Sequence, residues 1–480
     1  MKTIFEKSVA GREGCWPCEG VAEEAYIPSE LLRDGDIGLP SASELDVVRH
    51  FTKLSQRNYG VDGNFYPLGS CTMKYNPKFT EVVAAMPGFT RLHPVLPQLQ
   101  GAGGLCQGAL EVMYETENML AEITGMAAYT MHPMAGAHGE LTGVMLIAAY
   151  HKDKGNKKTK IIIPDSAHGT NPASATIAGY EIVSIESKDG IVDPEALAAV
   201  LDDEVAGMMM TCPNTLGLFE KHLPEIVKML RKVDALLYYD GANLNAIMGK
   251  MRVGDVGFDI VHWNLHKTMA TPHGGGGPGS GPVGVSERLV PFLPISRVAK
   301  QEDGQFFLDY NYPKSIGYVA PFYGNFGVYL KAYAYILRLG GVGLTRASEN
   351  AVLAANYMRK RLDDHFEVPY DRICMHEFVA SASPQAKKGV RALDFAKGLL
   401  DKGHHAPTIY FPLIVPEAIM IEPTETENKA TLDGFIDDLI ELAELVDTNP
   451  EALTSAPVTL PVTRLDETTA ARAMELTDDL

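Results

Sequence analysis

Residues 235–267, ALLYYDGANLNAIMGKMRVGDVGFDIVHWNLHK, contain two short apolar runs that each stop at a polar turn. Both ALLYYD and FDIVHWN read as buried strands. The first ends at Asp240. The second leads through NLHK to Lys267, 27 residues further on. That spacing places a carboxylate and an amine at the same edge of adjacent or near-adjacent strands.

The same rhythm extends on both sides. Upstream, a helix is expected from near Leu105 to Thr124, a turn AGAHGE, and an apolar helix from Leu141 to His151. The strands KTKIIIP and EIVSIES follow, then a helix at DPEALAAVLDD, capped by Asp193 with Pro194 at its first position. VAGMMMTC is another buried strand. Strands alternating with helices predict an α/β fold whose sheet is mainly parallel and covered on both faces. In such sheets ligands bind at the carboxyl ends of the strands. His168, Thr215, Asp240 and Lys267 all fall there.

After about residue 325 the pattern becomes that of a smaller α/β domain. Helices are expected over Phe326–Leu339, closed by Gly340–Gly341, and over Ser348–Asp364. Strands are expected at HFEVPY, RICMHEFVAS and EAIMIEPT, then a helix from Thr431 to Val446 with Leu432, Phe435, Ile436, Leu439, Leu442 and Val446 at helical spacing. The expected organisation is an irregular N-terminal arm (1–95), a large domain (96–325), a small C-terminal domain (326–449) and a tail (450–480). Within the arm, Ser43 caps a helix to Ser55 with Leu45, Val48, Phe51 and Leu54 on one apolar face.

Composition narrows the function. The 480 residues carry 61 acidic and 42 basic side chains, a net charge of −19, which argues against a nucleic-acid binder. The best apolar run, Val144 to Tyr150, is far short of the ~18 residues a membrane helix needs. MKTIFEKSVAGREG has neither a secretory apolar region nor the character of a transit peptide. A cytoplasmic enzyme or enzyme subunit is expected. Six cysteines make no disulfide scaffold, and Cys15–Cys18 (CWPC) lacks the context of a redox or zinc motif.

Several phosphate and metal motifs fail on inspection. Gly249–Lys250 has Leu244 where a P-loop needs glycine, and Gly274–Gly279 leads into a strand instead of opening a helix. No H-E-x-x-H occurs, and no metal site is expected. What remains fits pyridoxal phosphate (PLP), which needs a lysine for its aldehyde and an acid beside its pyridinium nitrogen. A nearby carboxylate keeps that nitrogen charged. Ala135–Gly139 offers a small-residue turn before a helix, suited to a phosphate, and Gly136 permits close approach. His168 is placed to stack on the ring, and Thr215 to bond the ring or the substrate.

The strings YPLGSCTMKYNP, GAHGE, DSAHGTNPASA, DGANLNA, NLHKTMATPHGGGGPGSGPVGV and IEPTETENK closely resemble the glycine decarboxylase (P-protein) family of the glycine cleavage system, in its PLP-bearing half. The resemblance implies a PLP-dependent transferase-like fold. It also implies Lys267 as the lysine that holds PLP, Asp240 as pyridinium partner, His168 as stacking residue and Gly136–Ala137 as phosphate turn. His266, Thr215 and Asn264 would be cofactor neighbours, and Ser70, Cys71, Thr72 and His93 would approach from the N-terminal region. The implied reaction is decarboxylation of glycine with transfer of the aminomethyl group to the lipoyl arm of the H-protein. The implied partner is an α subunit, in an α2β2 assembly. Gly274–Gly277 would then either clear a channel for the lipoyl arm or form a tight loop. Two alternatives stay open: another PLP enzyme, such as an aminotransferase or cysteine desulfurase, and a non-catalytic scaffold subunit.

Overall fold

The computed structural model describes residues 2–12, 14, 28–35, 37–99, 102–167, 170–275 and 277–474. His168, Cys15 and Cys18 lie outside the described residues. The chain divides into two compact units, Met1–Gly60 with Val462–Leu480, and Val61–Pro461.

In the larger unit seven strands form the main sheet: β1 (Ala128–Thr130), β2 (Lys160–Pro164), β3 (Glu181–Ile185), β4 (Val205–Thr211), β5 (Leu236–Gly241), β6 (Ile260–Trp263) and β7 (Val283–Val285). Their order is β1-β7-β6-β5-β4-β2-β3. From β6 to β3 every neighbouring pair is parallel; β7 runs antiparallel to both β6 and β1. The mainly parallel α/β architecture expected from the alternation is therefore present.

Both faces of this sheet are buried, which explains the unbroken apolar runs. Along β4, Met208 and Met210 enter one core while Met209 enters the other. Along β5, Tyr239 joins the first core and Tyr238 the second. Neighbouring residues of one strand thus serve opposite faces, as the two-residue repeat of a strand requires.

A second, antiparallel sheet carries the C-terminal part, with β8 (Phe378–Ser381), β9 (Thr408–Ile409) and β10 (Ala418–Ile421) in the order β8-β10-β9. The helix Lys429–Thr448 packs on it through the six apolar side chains named above, all buried, and Asn428 caps it by accepting from the Thr431 N–H.

Four local expectations need correction. The helix expected from Leu141 begins at Gly136, so GAHGE is its first turn and not a preceding loop. Phe326–Leu362 is one helical run, interrupted at Gly340 (φ 60°, ψ −179°), a conformation open essentially to glycine alone. HFEVPY contributes only an isolated bridge, Glu367 to Ser381, in place of a strand. Beyond Asn449 the chain is not simply extended: Pro450–Thr454 is helical and Leu453 is buried in the C-terminal core.

In the smaller unit the helix Glu44–Ser55 forms with Ser43 as cap, in a reciprocal capping box with Asp46. Its apolar face is not covered: Leu45, Val48, Phe51 and Leu54 are all exposed.

Candidate active site

A cleft of about 160 Å³ opens at the carboxyl ends of β4, β5 and β6, where ligands of such sheets bind. Strand register builds its floor. Thr211 pairs with Asp240, and Asp240 with His262, so three adjacent strands deliver these side chains side by side. Asp240 is 2 % exposed. Its Oδ2 accepts from Asn171 Nδ2 at 2.9 Å and Thr211 Oγ1 at 3.0 Å, and its Oδ1 accepts from the Ala242 N–H at 3.1 Å. His262 Nε2 lies 3.5 Å from Oδ1, and the other ring nitrogen meets the Tyr238 hydroxyl. Donors on both oxygens favour the ionised carboxylate.

Glu140, the fifth residue of the helix Gly136–Asp153, also lines the cleft. Burial, reinforced by the charge of Asp240, pushes its carboxyl up to about 7. Thr170 Oγ1 donates to its Oε1 at 2.9 Å.

Lys267 sits on a single helical turn, Leu265–Thr268, directly after β6. Its Nζ donates to the Ser70 carbonyl at 2.7 Å. Ser70 and Thr72 both adopt left-handed backbone conformations, φ 64° and 50°, unusual for residues with a Cβ. The lysine turn is braced from beneath by Lys74, 2 % exposed, whose Nζ donates to the Thr268 carbonyl at 2.9 Å and pairs with Glu425 at 2.7 Å.

Gly136, Ala137 and Asn264 meet at the mouth of the long helix. A Cβ at Gly136 would stand 2.6 Å from Asn264 Oδ1, so only glycine fits without displacing that amide. Asn264 Oδ1 is buried and makes no hydrogen bond. The amino end of an 18-residue helix presents N–H groups and partial positive charge to the cleft.

Ser70, Gly136, Ala137, Thr215, Asp240, Asn264 and Lys267 therefore converge on one cleft. The Thr215 hydroxyl donates to the Ser166 carbonyl at 2.9 Å. Other expected residues do not line it. His266 packs edge-on against His273, with ring centres 5.0 Å apart, and burial holds its imidazole down to about 3. Thr72 is buried against Glu422, and burial pushes the Cys71 thiol up to about 11. His93 lines a separate apolar pocket with Phe89, Leu92 and Phe326.

Sequence reading missed Glu140, Asn171, Thr211, Asn243, His262, His376, Glu377 and Glu422. Glu140, Asn171, Asn243 and Glu422 lie inside motifs already quoted, but nothing in one sequence tells a polar site residue from a polar loop residue. Thr211 and His262 are signalled by register with Asp240, once the strand order is known.

The model of the family described as "Glycine cleavage system P-protein" matches residues 22–305, and that described as "Glycine dehydrogenase, C-terminal domain" matches residues 347–457. The chain belongs to the P-protein family. It is 58% identical over 475 residues to a protein of Caldanaerobacter subterraneus named "Probable glycine dehydrogenase (decarboxylating) subunit 2", covering 98% of this chain and 97% of that one. A Listeria innocua protein of the same name is 54% identical over 478 residues, with 98% and 97% covered. Among solved structures, an inhibitor-bound glycine decarboxylase (P-protein) superposes with a TM-score of 0.71 at 20% identity, over 87% of this chain and 93% of that one. The glutamate decarboxylase of Lactobacillus brevis gives 0.65 at 15%, over 89% and 97%. At those identities the likeness shows the fold alone, and it is the PLP-dependent transferase-like fold. No helix among the described residues of this P-protein is long and apolar enough to cross a membrane.

Proposed function

We propose that this P-protein is the PLP-bearing subunit of a glycine decarboxylase, which releases carbon dioxide from glycine and passes the aminomethyl group to the lipoyl arm of an H-protein. The observation that carries this reading is the convergence of Lys267, Asp240 and the Gly136 helix end on one cleft. The donor set suits PLP, and Gly136, packed against the Asn264 amide, opens the helix whose first N–H groups suit an anion. When bound, PLP supplies an aldehyde for the substrate amine and a ring that takes up the electrons left by departing carbon dioxide.

The chain's own residues do the rest. Lys267 would hold the aldehyde and be displaced by the glycine amine. Asp240, kept ionised by Asn171, Thr211 and the Ala242 N–H, would keep the ring nitrogen protonated. Gly136 and Ala137 would take the phosphate, with Thr215, Asn264 and His266 nearby and His168 covering the ring. Ser70 is the substrate-side residue in contact with Lys267; Cys71, Thr72 and His93 would act from further out, through the loop or the neighbouring pocket. Glycine offers little remote binding energy, so positioning of its carboxylate must come from the cleft walls.

The relatives' name, subunit 2, supports an α partner. An α2β2 assembly in the cytoplasm is the corresponding arrangement, and the uncovered face of Glu44–Ser55 is a surface for such a partner. The test is exchange of labelled bicarbonate into the glycine carboxyl, by this chain with its α partner, PLP and lipoylated H-protein. Exchange that Lys267→Ala abolishes supports the reading. Absence of exchange in the wild type, with other amino acids transformed instead, contradicts it.

A further inference from the structure

A second group of buried carboxylates faces the cleft from the C-terminal sheet. Glu377 immediately precedes β8 and Glu422 immediately follows β10, strands paired antiparallel with Phe378 opposite Ile421. Extending that register by one residue sets the two glutamates directly across from each other. Oxygens of both, and a nitrogen of His376, lie within 4.8 Å of one another, and all three residues are buried. Glu377 Oε2 accepts from the Ser70 N–H at 2.6 Å. Glu422 accepts from the Thr72 N–H at 2.8 Å, the Thr72 hydroxyl at 2.6 Å and Asn243 Nδ2 at 2.7 Å. The two acids thus grip both ends of the left-handed Ser70–Thr72 loop, and that loop's Ser70 carbonyl receives Lys267 Nζ.

Two carboxylates this close in a dry site do not both ionise. Three donors favour the charge on Glu422, whereas one donor leaves Glu377 the better place for a proton. His376 does not supply a balancing charge: both its ring nitrogens are buried without hydrogen bonds, and burial, with Lys267 and Lys74 adding to it, holds it neutral. Burial and the neighbouring charge of Glu422 push Glu377 well up. The other titratable groups facing the pair are Lys267 and Cys71, with the Lys74–Glu425 ion pair behind them. A metal ion fits less well, because the Glu422 oxygens are already engaged by donors.

We propose that Glu377 and Glu422 share one proton, resident on Glu377, and that the pair is a positioning device which clamps the Ser70–Thr72 loop against Lys267 while presenting a neutral acid to the substrate carboxylate. Glu377 lines the cleft with Lys267. Ionised there, it would repel the anionic end of an amino acid; protonated, it can donate to it. This role rests on the glycine reading above, but the proton itself does not.

The test compares the full-length wild type with Glu377→Gln and Glu422→Gln. Infrared spectra of each chain without cofactor read the proton directly. The wild type minus Glu377→Gln difference at pH 7 should contain a carboxylic-acid C=O band, and in Glu422→Gln that band should titrate away at lower pH. In the loaded complex, Glu377→Gln should lose the wild type's rise in KM at high pH, whereas Glu422→Gln should lose at least tenfold in kcat/KM. A carboxylate band in the infrared difference instead would overturn the proposal. So would a Glu377→Gln chain that fails to fold or loses as much as Glu422→Gln, because a neutral isostere would then not replace the residue. An acid band without glycine exchange would sink the glycine reading and keep the shared proton.

Discussion

Two buried carboxylate groups face one cleft and are built in opposite ways. Glu140, Asp240 and His262 stand on the parallel sheet and the helix end beside it, with Asp240 and His262 brought together by register between neighbouring strands. His376, Glu377 and Glu422 are assembled from the antiparallel sheet and tied to a loop some 300 residues earlier in the chain. The first group is saturated around Asp240 and suited to holding a charge. The second is poor in donors at Glu377 and suited to holding a proton. On the proposed function, the cleft keeps a positive ring nitrogen at one end and admits an anionic substrate at the other, which calls for both.

The sharpest way to break this contrast is Asp240→Asn. The variant lacks the charge that would keep the ring nitrogen protonated, and a barrier raised by about 3–4 kcal/mol lowers bicarbonate–glycine exchange roughly 10²–10³-fold. A loss under tenfold would mean that the ring nitrogen does not depend on this carboxylate. Lys74→Met tests the brace under the lysine turn. It leaves Glu425 buried and unpaired, and should lower unfolding free energy in urea by about 3 kcal/mol or more. The double variant Lys74→Met/Glu425→Gln should recover much of that loss.

His376 and Glu140, one from each group, oppose each other in the pH dependence of stability. His376, held down to about 3, binds fewer protons folded than unfolded, so its contribution rises with pH up to the ordinary histidine value near 6.5. Glu140, raised to about 7, binds more protons folded than unfolded, so its contribution falls as pH climbs from about 4.5 towards 7. Urea midpoints measured between pH 4.5 and 6.5 should therefore rise more steeply in Glu140→Gln and less steeply in His376→Asn. The smallest effect is expected at Cys71. With its thiol pushed up to about 11 by burial, Cys71→Ser should change exchange by less than about twofold, and alkylation of the wild-type thiol at pH 7 should be slow.

The same contrast explains what the sequence disclosed. β5 and β6 were legible because strands buried on both faces are apolar without interruption, and their polar ends announced Asp240 and Lys267. Gly136 was legible as a point of close approach beside a helix, although the helix starts earlier than its apolar residues suggest, because the first turn of a helix carries no periodic signal of its own. Glu377 and Glu422 were not legible. Their meeting depends on how β8 pairs with β10, and local pattern does not encode a pairing between segments 45 residues apart. The helix Glu44–Ser55 shows a further limit: its apolar face was read correctly, but periodicity cannot say what covers it.

The most direct test of the central claim, that Lys267 at the end of β6 holds the cofactor, is borohydride reduction of the chain loaded with PLP, followed by peptide mass spectrometry. The account predicts a phosphopyridoxyl group on Lys267 and on no other lysine, absent from Lys267→Ala. A label on a different lysine, or none on a chain that has turned yellow, would contradict it.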